Sequence, residues 1–209
     1  MKKYAGTIFW ALCFIIFTIL VKVIDVQPAG AEGSLIGFAT LNTAVYSLLE
    51  KNDLCYKITQ NYLIIWAFFI VVFHALTGFI QLIKTKSLLK VDHEILMLGI
   101  IYVIVVILYV LFEKLAINYR PIVFEKGLEP SYPSTHTMLI LTVSGTAIPS
   151  AKKYFKRPLL TKIICIAVMW GTVICRLLSG VHWFTDIMGG VFLSLALLNM
   201  FLAFLPERE

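Results

Sequence analysis

Residues 176–186 read Arg-Leu-Leu-Ser-Gly-Val-His-Trp-Phe-Thr-Asp and join two long apolar runs, 159–175 and 184–205. Ionisable side chains at a hydrocarbon boundary are costly to keep, so Arg176, His182 and Asp186 call for a function. Arg176 offers a planar fork of donors suited to a phosphate. His182 is a candidate nucleophile. Asp186 follows it by four residues, so on a helix the two share a face. The carboxylate can then accept from one ring nitrogen and leave the other free to attack. On this stretch alone, snorkelling charges at a helix end are the competing reading.

The rest of the chain sets this stretch in a bilayer. Of 209 residues, 60% are hydrophobic, against about 45–50% in soluble domains. The size suits one helical membrane domain. The net charge of +6 comes from lysines and arginines clustered in short loops, which fits membrane orientation better than nucleic-acid binding. Cys13, Cys55, Cys165 and Cys175 lack paired spacing and read as small buried hydrophobes rather than a disulfide framework or zinc site.

The expected fold is all-α: an integral membrane six-helix bundle forming a single domain over 1–209. Its spans are expected near 5–21, 62–83, 95–112, 137–151, 159–175 and 184–205. The first run is expected to be a retained helix; a signal peptide is the rival, because Ala29-Gly30-Ala31 resembles a cleavage site. Residues 25–61 are read as an interfacial or re-entrant helix packed on the bundle, with an ordered loop as the alternative. His74, inside the second span, is assigned a structural hydrogen bond to a neighbouring helix.

Basic residues orient the bundle. A cytoplasmic N-terminus puts Lys2, Lys3, Lys84, Lys86, Lys90, Lys152, Lys153, Lys156, Arg157 and Arg208 inside, with Lys162 just within the fifth span. It leaves Lys22, Lys51, Lys57, Lys114, Arg120, Lys126 and Arg176 outside. Both termini are then cytoplasmic.

That topology gathers three polar clusters on the outer face: Lys114 with Arg120-Pro121, Pro133-Ser134-Thr135-His136, and Arg176 with His182 and Asp186. Lys114, Arg120 and Arg176 can neutralise a phosphoryl group. Ser134 and the N–H groups of Ser134, Thr135 and His136 stand where a helix begins, an anion site. His136 can protonate the leaving oxygen while His182 attacks phosphorus. No metal-ligand cluster is visible, so the cations stand in for a metal, and no cofactor is expected. Taken singly, each cluster has a plainer reading, as interfacial anchors, an N-cap serine or a satisfied polar histidine.

In order, these motifs resemble the type 2 phosphatidic acid phosphatase superfamily, which includes bacterial lipid phosphatases. Its pattern is Lys, six residues, Arg-Pro; then Pro-Ser-Gly-His; then Ser-Arg, five residues, His, three residues, Asp. Here the third part reads Cys175-Arg176, five residues, His182, three residues, Asp186. The resemblance implies a multi-pass cell-membrane enzyme with an extracytoplasmic site. It would dephosphorylate a lipid phosphate without metal, through a phosphohistidine. Candidate substrates are phosphatidic acid, phosphatidylglycerol phosphate and a polyprenyl diphosphate. The expected partners are the lipid phosphate and membrane lipids. This chain departs from the pattern three times. Lys114 precedes Arg120 by five intervening residues, which turns its side chain by about 100° on a helix. Thr135 stands for glycine, and Cys175 for a serine that helps bind phosphate in the family. These departures motivate the alternative, a non-catalytic protein that binds or transports lipid phosphates on the same scaffold.

Overall fold

The computed structural model describes residues 2–125 and 127–205, with the side chain of Lys2 outside that description. Lys126 and Arg208, used above to orient the bundle, lie outside the described residues. The long helices are α1 (Ala5–Val23), α4 (Leu63–Thr85), α5 (His93–Leu115), α6 (Thr135–Tyr154), α7 (Pro158–Leu178) and α8 (Phe184–Phe204). Two short helices, α2 (Ala39–Leu48) and α3 (Asp53–Lys57), lie between α1 and α4. A π-helical turn, Ile58–Tyr62, joins α3 directly to α4, so the second apolar helix begins well before the expected 62.

Apolar stripes explain what faces lipid. On α7, Leu159, Ile163, Ile166, Trp170 and Ile174 recur at helical spacing and are exposed. On α1, Ile8, Leu12, Ile15 and Ile19 do the same. A row of bare hydrocarbon on each helix fits contact with lipid tails.

Among the described residues, five helices are long and apolar enough to cross a membrane: Ala5–Val23, Asp53–Thr85, His93–Leu115, Pro158–Leu178 and Phe184–Phe204. The expected six is not met on those terms. The missing one is α6, which contains the expected span 137–151 and has 20 residues. It falls short in composition rather than length, for a packing reason. The helix sits at the centre, against α4, α5, α7 and α8, and Thr137, Thr142, Ser144, Thr146 and Ser150 are all buried. Surrounded by protein, it needs small residues for close approach more than apolar ones. Several of these hydroxyls bond locally, as where Thr146 Oγ1 donates to the Thr142 carbonyl at 2.9 Å, while Thr142 Oγ1 has no partner among the described residues.

Small residues also set the α6–α8 crossing. A Cβ on Gly190 would stand 2.8 Å from the Ser134 carbonyl oxygen and 2.9 Å from Thr137 Cβ. Gly190→Ala therefore forces the two helices apart. The expected cost is about 1–3 kcal/mol, read as a lower melting temperature in detergent. An unchanged midpoint would show that the crossing has slack.

Residues 25–61 form an ordered cap. An antiparallel bridge pairs Gln27 with Ile36, and α2 follows. Asn42 of α2 is fully buried and donates to Thr185 Oγ1 at 2.9 Å, pinning the cap to the start of α8. At the other end of the bundle, Asp92 accepts from Gln81 at 2.8 Å and Tyr154 at 3.0 Å and pairs with Lys153 at 3.1 Å. His74 bonds the Ile70 carbonyl of its own helix at 2.8 Å, not a neighbouring helix.

Candidate functional site

The three sequence clusters meet at the end of the bundle that carries the cap. After α7 the chain turns through Gly180, whose φ of +66° suits a residue without a Cβ. Trp183 then caps α8, and Asp186 Oδ2 accepts from the Trp183 N–H at 2.9 Å. This box fixes the carboxylate one turn from His182. The two side chains are almost fully buried, and His182 Nδ1 lies 3.5 Å from Asp186 Oδ2. The other ring nitrogen, Nε2, lies 3.3 Å from Arg120 Nη1. Burial, then the positive charges of Arg176 and Arg120, hold His182 well below its ordinary pKa of 6.5. At neutral pH the ring is uncharged, the form in which a ring nitrogen has a lone pair to donate.

Arg120 comes from the loop between α5 and α6. Its Nε pairs with Glu129 Oε2 at 3.2 Å, and its guanidinium lies over the Phe124 ring at 5.2 Å. The loop is held by Tyr132, whose hydroxyl is 2.8 Å from Thr18 Oγ1 and whose ring stacks on Phe14. Gly189 leaves room for that ring, since a Cβ there would fall 2.6 Å from Tyr132 Cε2.

Arg176 is fully buried in the last turn of α7. Its Nη1 donates to Thr59 Oγ1 at 3.3 Å, while Nε and Nη2 have no hydrogen-bond partner among the described residues. His136 Nδ1 is also buried and unpaired. Buried donors left unpaired cost roughly 1–3 kcal/mol each, and more when charged. Unpaired guanidinium donors beside two histidines and a second arginine form a ready acceptor site for an anion.

Two clefts meet at Thr135. One is lined by Phe112, Glu113, Arg120, Pro133, Thr135 and His182, among others. The other has an apolar lining from Ile64, Val105, Val106, Tyr109, Met138 and Leu139, and it also touches Thr135 and His136. A polar cleft adjoining an apolar one suits an amphiphile.

The remaining sequence candidates stand in different settings. Lys114 is exposed on the last turn of α5, and the residues of that turn at the polar cleft are Phe112 and Glu113. Ser134 is spent on structure: its N–H donates to the Asp186 carbonyl at 2.9 Å, and its Oγ accepts from Thr137 Oγ1 at 2.9 Å. That N–H is therefore not free for an anion. Thr135 lines the cleft in helical backbone as the first residue of α6. The non-glycine residues with positive φ are Asp25, Glu32, Phe38, Lys86 and Ala116, so threonine meets no strain there. Among the described residues, no group of three or more His, Cys, Asp or Glu is placed to hold a metal ion.

Sequence reasoning missed Asn118, Thr59 and Glu129. Asn118 is buried; its Oδ1 accepts from the Gly37 N–H at 3.2 Å and its Nδ2 approaches Asp186 Oδ1 at 3.5 Å. A polar residue two before Arg120 was the one available hint.

Comparisons with known proteins bear on family and fold. The profile of the PAP2 superfamily matches residues 96–209. The chain is 33% identical over 88 residues to sphingosine-1-phosphate phosphatase 2 of Mus musculus; that match takes in 40% of this chain and only 25% of the relative. Its fold resembles the crystal structure of a transmembrane PAP2 type phosphatidylglycerolphosphate phosphatase from Bacillus subtilis. The TM-score is 0.61 at 20% identity, over 95% of this chain and 94% of that one.

Proposed function

Because the chain belongs to the PAP2 superfamily, we propose that it is a multi-pass membrane phosphatase for lipid phosphates, with the described helices forming one catalytic domain. The observation that carries the reading is the fully buried Arg176, whose Nε and Nη2 are unpaired, close to the His182–Asp186 pair and Arg120. A phosphoryl group supplies the acceptors those donors lack, and its charge stays within reach of both arginines.

Asp186 Oδ2 stands 3.5 Å from His182 Nδ1, and tightening of that contact on substrate binding holds the ring so that Nε2 attacks phosphorus. The P–O bond to the lipid breaks, a P–N bond forms, and His136, protonated once the phosphate's negative charge offsets Arg120 and Arg176, gives that proton to the departing oxygen. Water then attacks the phosphohistidine, His136 takes its proton, the P–N bond breaks and inorganic phosphate leaves. Arg120 and Arg176 stabilise charge on the equatorial oxygens throughout. Ser134 and Thr135 shape the start of α6 beside the phosphate. Lys114 adds only long-range positive potential.

The substrate is an amphiphile such as phosphatidic acid, phosphatidylglycerol phosphate or a polyprenyl diphosphate. The apolar cleft between α4, α5 and α6 supports this, because a tail there keeps its ester oxygen near His136. On this reading α6 also crosses the membrane, shielded by its neighbours, and six helices span. Lys84, Lys86, Lys90, Lys152, Lys153 and Arg157 flank the helix ends opposite the site, which favours cytoplasmic termini and an extracytoplasmic site.

The test is phosphate release from a panel of these lipids and from water-soluble phosphomonoesters, in detergent with excess chelator. Release from at least one lipid, with soluble esters at least tenfold slower in kcat/KM, is expected. A protein that binds a lipid phosphate at micromolar concentration and never turns it over would instead be the non-catalytic relative.

A further inference from the structure

We propose that Cys55 and Cys175 are a site of reversible oxidation, forming a disulfide that ties α3 to the last turn of α7 and alters how Arg176 is held. The effect on Arg176 rests on its phosphate-binding role above; the bond itself does not. The cysteines are 120 positions apart in sequence, yet each stands three residues from the Asn52–Leu178 hydrogen bond that joins α3 to α7, which makes them neighbours across the two helices. The backbones around them are joined, for α3 packs on α7 and the Asn52 N–H donates to the Leu178 carbonyl at 2.9 Å. Asn52 also caps α3, accepting from the Cys55 N–H at 3.0 Å. Cys13 is on α1, and Cys165 is buried farther along α7.

The pair is wired to the site through a closed ring. Thr59 Oγ1 donates to the Cys55 carbonyl at 3.1 Å. Arg176 Nη1 donates to the same Thr59 oxygen at 3.3 Å. Arg176 is the next residue after Cys175. A disulfide therefore closes the loop Cys55–Thr59–Arg176–Cys175. It also draws the two sulfurs together to about 2.05 Å. The π-helical turn Ile58–Tyr62, which contains Thr59, directly follows α3. Such turns are local irregularities that absorb a register shift. Movement of the first turn of α3 is thus delivered to Thr59 and from there to Arg176.

The oxidant is a disulfide compound, either a small molecule or an oxidoreductase. One cysteine thiolate attacks it, its S–S bond breaks and a thiol departs. The second thiolate attacks the resulting mixed disulfide. The Cys55–Cys175 bond forms, and the two electrons and two protons leave on the two thiols released from the oxidant. An extracytoplasmic site would meet such conditions.

The experiment exposes detergent-purified full-length protein to glutathione disulfide, blocks free thiols with N-ethylmaleimide and maps peptides by mass spectrometry. Phosphate release from phosphatidic acid is assayed in parallel. A peptide joining Cys55 to Cys175 is expected, with turnover lowered about tenfold, as displacement of a positioning group by a fraction of an ångström would give. Dithiothreitol should restore it. Cys55→Ser should lose both the crosslink and the sensitivity while keeping turnover. Maleimide on both cysteines with no crosslinked peptide overturns the proposal. A crosslink that leaves turnover unchanged overturns the coupling to Arg176. Reduced protein that releases no phosphate counts against the phosphatase reading alone, because the peptide map needs no activity.

Discussion

Replacing His182 with Asn lowers kcat for a lipid phosphate by about 10⁴-fold or more, with little change in the melting temperature. The size follows from the role: without a nucleophile the covalent route closes, and only binding and electrostatic stabilisation remain. The small structural cost follows from the surroundings. The fold does not hang on the ring, because Asp186 Oδ2 keeps its bond to the Trp183 N–H and the cap of α8 survives. Rapid quench with radiolabelled substrate supplies the second readout. Wild-type protein should trap a phosphoenzyme that survives alkali and is lost in acid, as a phosphorus–nitrogen bond requires, and His182→Asn should trap none. Turnover retained in the variant would remove His182 from the mechanism, whatever the fold.

Arg176→Lys should lower kcat/KM by about 10²–10³-fold, the range seen when one preorganised donor to a developing oxyanion is lost. The side chain is fully buried and has donors to spare, since Nη1 holds Thr59 while Nε and Nη2 stay unpaired. Lysine keeps the charge, but it is a single ammonium on a flexible stem and cannot hold Thr59 and a phosphate oxygen together. Most of the loss should fall on kcat, because negative charge on the equatorial oxygens is stabilised most in the transition state. A loss confined to KM would mean that Arg176 binds substrate and transition state alike. Arg120→Lys serves as the comparison. Its guanidinium is steadied from outside by Glu129 and Phe124, so a smaller loss is expected there.

The lipid-phosphatase reading was largely open in the sequence, and the reasons are local. Apolar runs of spanning length declare themselves without knowledge of their neighbours. A histidine and an aspartate four residues apart suggest a shared helix face; the structure brings them to 3.5 Å by another route, with His182 in the turn before α8 and Asp186 in its first turn. Alternation of spans brings the three clusters to one end whatever the packing. The helical pitch even flagged Lys114, which stands exposed.

Other features depended on contacts between distant residues. Arg176 meets Thr59 across 117 positions, and Asn118 approaches Asp186 across 68. No periodicity encodes such pairs, because each arises where two separately specified helices or loops dock. The polar composition of α6 reads as a weak span until its neighbours surround it. The Ser134 N–H looks like an anion donor until the Asp186 carbonyl takes it. Cys55 and Cys175 read as unrelated apolar residues until α3 packs on α7. The sequence by itself determined the apolar helices and the order of the polar clusters between them, because helix pitch and span length are local. Tertiary structure alone decided which donors stay free for a phosphate, because that depends on which partner each buried group finds.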